Sequence, residues 1–262
     1  MKLILWACLL AMNMASSANM LTFAVAKWPP YFDDERPDQG TLAMQLTLQF
    51  REAGIDVHYH WYDSWKAAYN HAQAANVKAS PGWICNQTRA KQFYFSYPIY
   101  AIKTVFFHLK TTPVQWETLA DLKDIGPIAI TASYYFGRQF EEAAKTHQLQ
   151  LRQVRIERLT FNLLLKERVA LVPMPLDNGL LILNKYFSEA DRRKITYHEK
   201  NTDKSYLHIM VPKQQPGALR LYLRINQVLI NSAKKLMDKK GRLLQFAKLC
   251  PGIQQPGWAF SP

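Results

Sequence analysis

The sequence predicts an α/β layered fold on a largely parallel sheet, and three observations carry that prediction. Short apolar runs of β-forming residues alternate with segments of helical periodicity from residue 21 onward. The same alternation starts afresh beyond residue 104. With 262 residues, of which 48% are hydrophobic and 13% aromatic, the chain has material for one large domain or two smaller ones, each with a packed core.

Each element has a local reason. Residues 21–25 form a short apolar strand, stopped by Trp28, Pro29, Pro30 and Tyr31 because proline cannot continue a central strand. An acidic, turn-forming stretch over 33–40 follows. Leu42, Leu46 and Phe50 recur at a spacing of four, which predicts a helix ending at Gly54. Residues 55–61 alternate apolar and polar as a strand does, and Asp63 or Ser64 caps the next helix, over 65–75. After Arg89, the apolar residues Phe93, Phe95 and Tyr100 lead into a β-type run over 104–109.

The second pattern comprises a strand over 125–131, a helix from Ser133 to Thr146, a strand over 151–156 and a helix over 161–166. A strand over 169–172 stops at Pro173, a helix covers 180–186, and a late strand covers 207–211. Leu219, Leu223, Asn226 and Ile230 then mark a long amphipathic helix, with another before Cys250 and an irregular tail over 254–262. No internal repeat or low-complexity segment interrupts this order.

The N-terminus points to export. Lys2 supplies a positive start, residues 3–12 are apolar, and Ser16 and Ala18 are small residues suited to signal peptidase. Ten apolar residues are too few to span a bilayer, which needs about 20. Cleavage after Ala18 leaves 262 − 18 = 244 residues, and removal of Lys2 lowers the net charge from +13 to +12. That balance allows loose binding of polyanions. The basic residues are nevertheless scattered through predicted helices, and the group Lys234, Lys235, Lys239, Lys240 and Arg242 reads as a solvated helix end, so no specific nucleic-acid site is expected.

Of the three cysteines, Cys8 lies in the discarded segment, leaving Cys85 and Cys250 either paired, as an oxidising compartment allows, or as two buried thiols. No cysteine spacing fits a structural zinc site. His58 and His60 share one face of a strand, with His71 further on, and read as a solvated face rather than a metal site. No metal and no cofactor is expected.

The most informative run is Asn86 to Tyr97, which places Arg89 among small polar residues just before an apolar strand. Arginine stays charged at physiological pH, and its planar fork matches a carboxylate with two parallel hydrogen bonds. Trp28 and Tyr31 form an aromatic loop able to close over an anion held there. Read as a helix start, Thr131 to Tyr135 offers backbone N–H groups at Ser133 and Tyr134 as a second clamp, while the plainer role of Ser133 is to cap the helix.

Several segments together resemble the family 3 extracellular solute-binding proteins, the periplasmic receptors of polar amino-acid importers. They are the opening strand with Trp28 to Tyr31, Gly40 before a helix, Thr88 to Tyr100, Leu119 to Lys123, Glu167 to Val172, and Asn226 in the late helix. The likeness covers almost the whole chain beyond residue 18, and it is the order and spacing of the pieces that carry it.

The resemblance implies a two-lobed periplasmic-binding-protein-like fold of type II, each lobe a mostly parallel sheet flanked by helices. Its expected parts are a signal peptide (1–18), lobe 1 (19–103 and 207–262) and lobe 2 (104–206), with crossings near 102–104 and 206–209. It further implies that Arg89 holds a ligand carboxylate, that Trp28 stacks on the ligand, and that hinge closure creates the surface read by the permease of an ABC importer or by a sensor. The receptor would be a periplasmic monomer, not an enzyme, and its ligand a small anionic or zwitterionic solute.

Two departures mark this chain. Amino-acid receptors of the family supply an acid after the strand matching 169–172, where this chain has Pro173, Met174 and Pro175, with Asp177 two residues on. Either Asp177 reaches the ligand's ammonium or the ligand lacks one. Ile84, Cys85 and Asn86 replace small hydroxyl residues, with the Asn86 amide as the substitute. Two alternatives stand beside the receptor: a dehydratase-like enzyme on the same scaffold, and a polyanion- or envelope-binding protein suggested by the +12 charge.

Overall fold

The computed structural model describes residues 20–112, 114–132, 134–200 and 204–235. The expected signal sequence, Ser133, Cys250, the helix expected before it and the tail over 254–262 lie outside the described residues.

The chain opens with β1 (Met20–Ala26), α1 (Thr41–Glu52), β2 (Asp56–Tyr62) and α2 (Trp65–Gln73). β1 and β2 pair in parallel, with Leu21 opposite Val57 and Val25 opposite Trp61. Strand periodicity buries Tyr59 and leaves His58 and His60 on the exposed face. α1 buries Leu42, Ala43, Leu46 and Phe50, and the Phe50 ring meets Phe23 of β1 edge-on at 5.6 Å. α2 starts where Ser64 Oγ accepts the Ala67 N–H at 3.2 Å. β3 (Ser80–Ile84), α3 (Gln87–Gln92) and β4 (Phe93–Phe95) follow, and a parallel bridge between Phe23 and Ala79 ties β1 to the segment entering β3.

β5 (Tyr100–Leu109) leads into α4 (Leu122–Ile125), β6 (Ile128–Thr131), α5 (Arg138–Thr146), β7 (Leu151–Val154) and α6 (Arg158–Leu165). Then come β8 (Val172–Pro175), α7 (Leu176–Tyr186), α8 (Glu189–Lys194) and β9 (Ile195–Tyr197). β6 and β7 are parallel, and a parallel bridge between Ile128 and Leu171 extends that layer to the start of β8. The last described elements are β10 (Lys204–Pro212) and α9 (Ala218–Lys235).

Two antiparallel strands join the halves. β5 pairs with β10 over Tyr100 to Lys103 and with β8 over Thr104 to Phe107, so it changes partner between Lys103 and Thr104. β10 pairs with β5 over Lys204 to Leu207 and with β3 over Leu207 to Met210. The core divides accordingly. One part gathers Phe23, Phe50, Tyr222 and Ile225, with Phe93, Phe95 and Met210 alongside. The other gathers Phe107, Phe161 and Met174, with Phe106, Phe140 and Leu171 alongside. Asn226 of α9 seals the first part by accepting the Tyr97 N–H at 2.8 Å.

The α/β layering expected from the sequence is observed. Three local expectations are corrected. The helix expected from Ser133 begins at Arg138, because Gly137 at φ 93 sits at its N-cap and residues 134–136 stay irregular. The strand expected over 169–172 runs instead from Val172 through Pro175. Proline at 173 has no N–H for the parallel ladder to β6, yet Pro173 and Pro175 still face Phe106 and Thr104 of β5. The strand expected from 125 begins at Ile128, since a short helix occupies Leu122–Ile125.

Candidate ligand-binding cleft

The Trp28 loop is fixed by its own backbone and by α1. Trp28 N–H donates to Phe32 O at 2.7 Å, and the N–H groups of Tyr31 and Phe32 donate back to Trp28 O at 2.9 and 3.0 Å. The first N–H groups of α1, which no helical carbonyl can satisfy, instead reach the loop: Thr41 donates to Pro30 O at 2.8 Å and Leu42 to Tyr31 O at 3.1 Å. Gly40 makes this approach possible. A Cβ there would lie 2.5 Å from Tyr31 O, on a backbone already at φ 101. The Pro29–Pro30 peptide is cis.

Arg89 is placed by a cap. Asn86 Oδ1 accepts the Arg89 backbone N–H at 2.8 Å, which starts α3 and sends the side chain back over the end of β3. There Arg89 Nη1 donates to Ile84 O at 2.9 Å and the guanidinium lies 4.8 Å from the Trp83 ring centre. Among the described residues no acid pairs with it, and burial pulls its pKa below the usual arginine value. A half-buried guanidinium without a carboxylate partner bears an unrelieved desolvation cost.

The facing wall comes from the second half of the chain. Because α5 starts only at Arg138, Tyr134, Tyr135 and Phe136 form an irregular segment that lines the cleft. Tyr134 meets Trp28 edge to face at 5.9 Å. Trp65 packs edge-on against both Trp28, at 6.0 Å, and Trp83, at 5.3 Å. Gly82, at φ 93, leaves room for Trp65, whose ring edge a Cβ would meet at 3.1 Å. The space between these walls and at its mouth amounts to about 580 Å³ of empty volume, open solvent included.

The acids stand outside this lining. Tyr134 Oη donates a short hydrogen bond to Glu157, and burial holds the Glu157 carboxyl above the usual carboxylate range against that bond and the neighbouring Asn178 amide. Burial beside Glu157 raises the Tyr134 pKa far above that of a free phenol. Trp28 Nε1 is buried without a well-formed hydrogen bond, although it lies near enough to Tyr134 to ease the ionisation of that phenol. Asp177 Oδ2 accepts from Tyr100 Oη at 3.0 Å, and burial together with this carboxylate pushes the Tyr100 pKa up to about 12. Asn178 Nδ2 crosses to the other half and donates to Pro29 O at 2.7 Å.

The structure therefore brings Trp28, Arg89 and Tyr134 together around one space. Tyr31 is buried behind Trp28, 4.6 Å from it between ring centres. Asn86 caps α3, and Asp177 is taken up by Tyr100. Trp65, Trp83 and Phe136 complete the walls and were missed by sequence reasoning. The signal available for Trp65 was its place directly after the Ser64 cap, and for Trp83 its position on the strand leading to Arg89.

Several solved structures resemble this chain. A histidine kinase sensor domain with similarity to periplasmic binding proteins superposes with a TM-score of 0.66 at 16% identity, over 83% of this chain and 91% of that one. Holo ArgBP from T. maritima gives 0.63 at 17% identity, over 82% and 91%. The GluR0 ligand-binding core from Nostoc punctiforme with L-glutamate gives 0.61 at 16% identity, over 80% and 92%.

This is the periplasmic-binding-protein fold.

No family model and no curated protein matches the sequence, so the likeness is one of architecture. In a periplasmic-binding-protein fold the two cores are two lobes, the β5 and β10 strands run between them, and the cleft of Trp28, Arg89 and Tyr134 lies where the lobes meet. The structural neighbours named above are a sensor domain and ligand-binding proteins rather than enzymes. Among the described residues no helix is long and apolar enough to cross a membrane, and no histidine, cysteine and acid cluster is arranged to hold a metal ion.

Proposed function

We propose that this chain is an exported solute receptor that captures a small carboxylate-bearing molecule between its lobes and presents the closed form to the permease of an ABC importer or to a sensor. One observation carries the reading: Arg89 sits in an aromatic cleft with no acid of its own among the described residues. A charged, planar hydrogen-bond donor held out of bulk water favours a carboxylate with its matching fork. Export follows from residues 1–18, and the lobes correspond to 19–103 with 207–262, and to 104–206. The receptor works as a monomer in the periplasm. Binding rather than catalysis is favoured because the lining, among the described residues, offers no histidine or carboxyl to move a proton.

Native mass spectrometry of protein purified without denaturation tests this reading. The expected result is a retained small anion in the wild type that is lost from Arg89→Ala with the fold intact by circular dichroism. Retention of the same ligand by the variant, or an empty wild type that binds no carboxylate in titration, overturns it.

A further inference from the structure

We infer that the cleft takes a carboxylate built on a flat apolar ring and carrying no ammonium group. This rests on the receptor reading above and narrows its ligand.

Among the described residues the lining contains one charged side chain, Arg89, and no carboxyl. Glu157 and Asp177 are engaged elsewhere, Glu157 by the Tyr134 hydroxyl and Asp177 by the Tyr100 hydroxyl, and neither is part of the lining. Two buried acceptors without a partner, Thr131 Oγ1 and Asn178 Oδ1, have essentially no exposed surface and are sealed from the cleft as well. Pro175, whose side chain has no hydrogen-bond acceptor, occupies the wall at the end of β8. A ligand ammonium would therefore leave water, find no counter-charge, and sit in the same small space as a guanidinium.

The rest of the wall says what the ligand body is. Trp65 stands edge-on to both Trp28 and Trp83, with Phe136 among the facing residues, so the space between them is bounded by ring faces and edges. A planar ring gains edge-to-face and offset contacts there.

The test is calorimetric titration of the full mature chain with a matched pair, 3-phenylpropanoate and L-phenylalanine, which share ring and carboxylate and differ by the amine. Butanoate, L-glutamate and L-arginine complete the panel. The expected result is 3-phenylpropanoate binding at least tenfold tighter than L-phenylalanine and at least tenfold tighter than butanoate. A ratio below tenfold in either comparison, or tighter binding of L-glutamate or L-arginine, overturns the inference while leaving a carboxylate receptor in place. Failure of every carboxylate to bind removes the receptor reading as well.

Discussion

The Asn178 side-chain amide donates to the Pro29 carbonyl oxygen over 2.7 Å, joining the first turn of α7 in one lobe to the Trp28 loop of the other. Asn178 is fully buried, so its bond is shielded from competing water. Tyr134 against Trp28 supports the same junction. The exposed Lys185 to Glu35 pair, at 3.8 Å, adds little by comparison.

Asn178→Ala leaves the Pro29 carbonyl unpaired at this junction. Its expected effect is a stability loss of about 1 to 3 kcal/mol in urea titration, with a larger radius of gyration by X-ray scattering as the lobes part. An unchanged scattering profile contradicts the role given to this bond.

Gly40→Ala tests how the Trp28 loop is held. The new Cβ would lie 2.5 Å from Tyr31 O, and the backbone stands at φ 101. Backbone strain and a forced shift of the loop predict a loss of about 1 to 3 kcal/mol. The urea midpoint should fall at constant slope. A variant as stable as the wild type would mean that α1 and the loop are not locked together.

The layered architecture was legible in the sequence because apolar spacing reports which face of each element is buried, as with Leu42, Leu46 and Phe50 against β1. The exchange of partners within β5 was not, since nothing in its residues states that it leaves β10 for β8 at Thr104; the crossing expected near 102–104 came from the family resemblance alone. Pro173 was misread as a strand end, and Gly137 was passed over inside the helix expected from Ser133. A proline whose nitrogen faces away from its pairing partner does not end a strand, and a glycine at an N-cap delays a helix that Ser133 could otherwise start. For the cleft, Arg89 and Trp28 carried a sequence pattern. Trp65 and Trp83 did not, because only the crossing of α2 over β3 makes them neighbours.

His208 predicts an acid-sensitive stability. It is buried, bonded through Nδ1 to the Ser96 carbonyl at 2.7 Å, and burial pushes its pKa down to about 4. The unfolded chain takes up the proton near pH 6.5, the folded chain only near pH 4, so stability present above pH 6.5 is lost as pH falls through that window. The loss amounts to about 3 kcal/mol. Glu157, whose pKa is raised, acts with the opposite sign, so the comparison is between wild type and His208→Gln. The variant should lack this part of the pH slope; an identical slope refutes the assignment.

Cys85 is disulfide-bonded. Cys85→Ser is expected to lose about 2 to 4 kcal/mol. It should also be indifferent to reductant, while the wild type loses a similar amount when reduced. Wild-type stability that does not respond to reduction contradicts a structural role.

A crystal structure of the protein with the ligand it retains through purification tests the central claim most directly. The account predicts a ligand carboxylate about 2.7 to 2.9 Å from the Arg89 guanidinium nitrogens, with the ligand body between Trp28 and Trp83. An Arg89 side chain paired with an acid of the protein itself, or a ligand bound without touching it, would contradict the account.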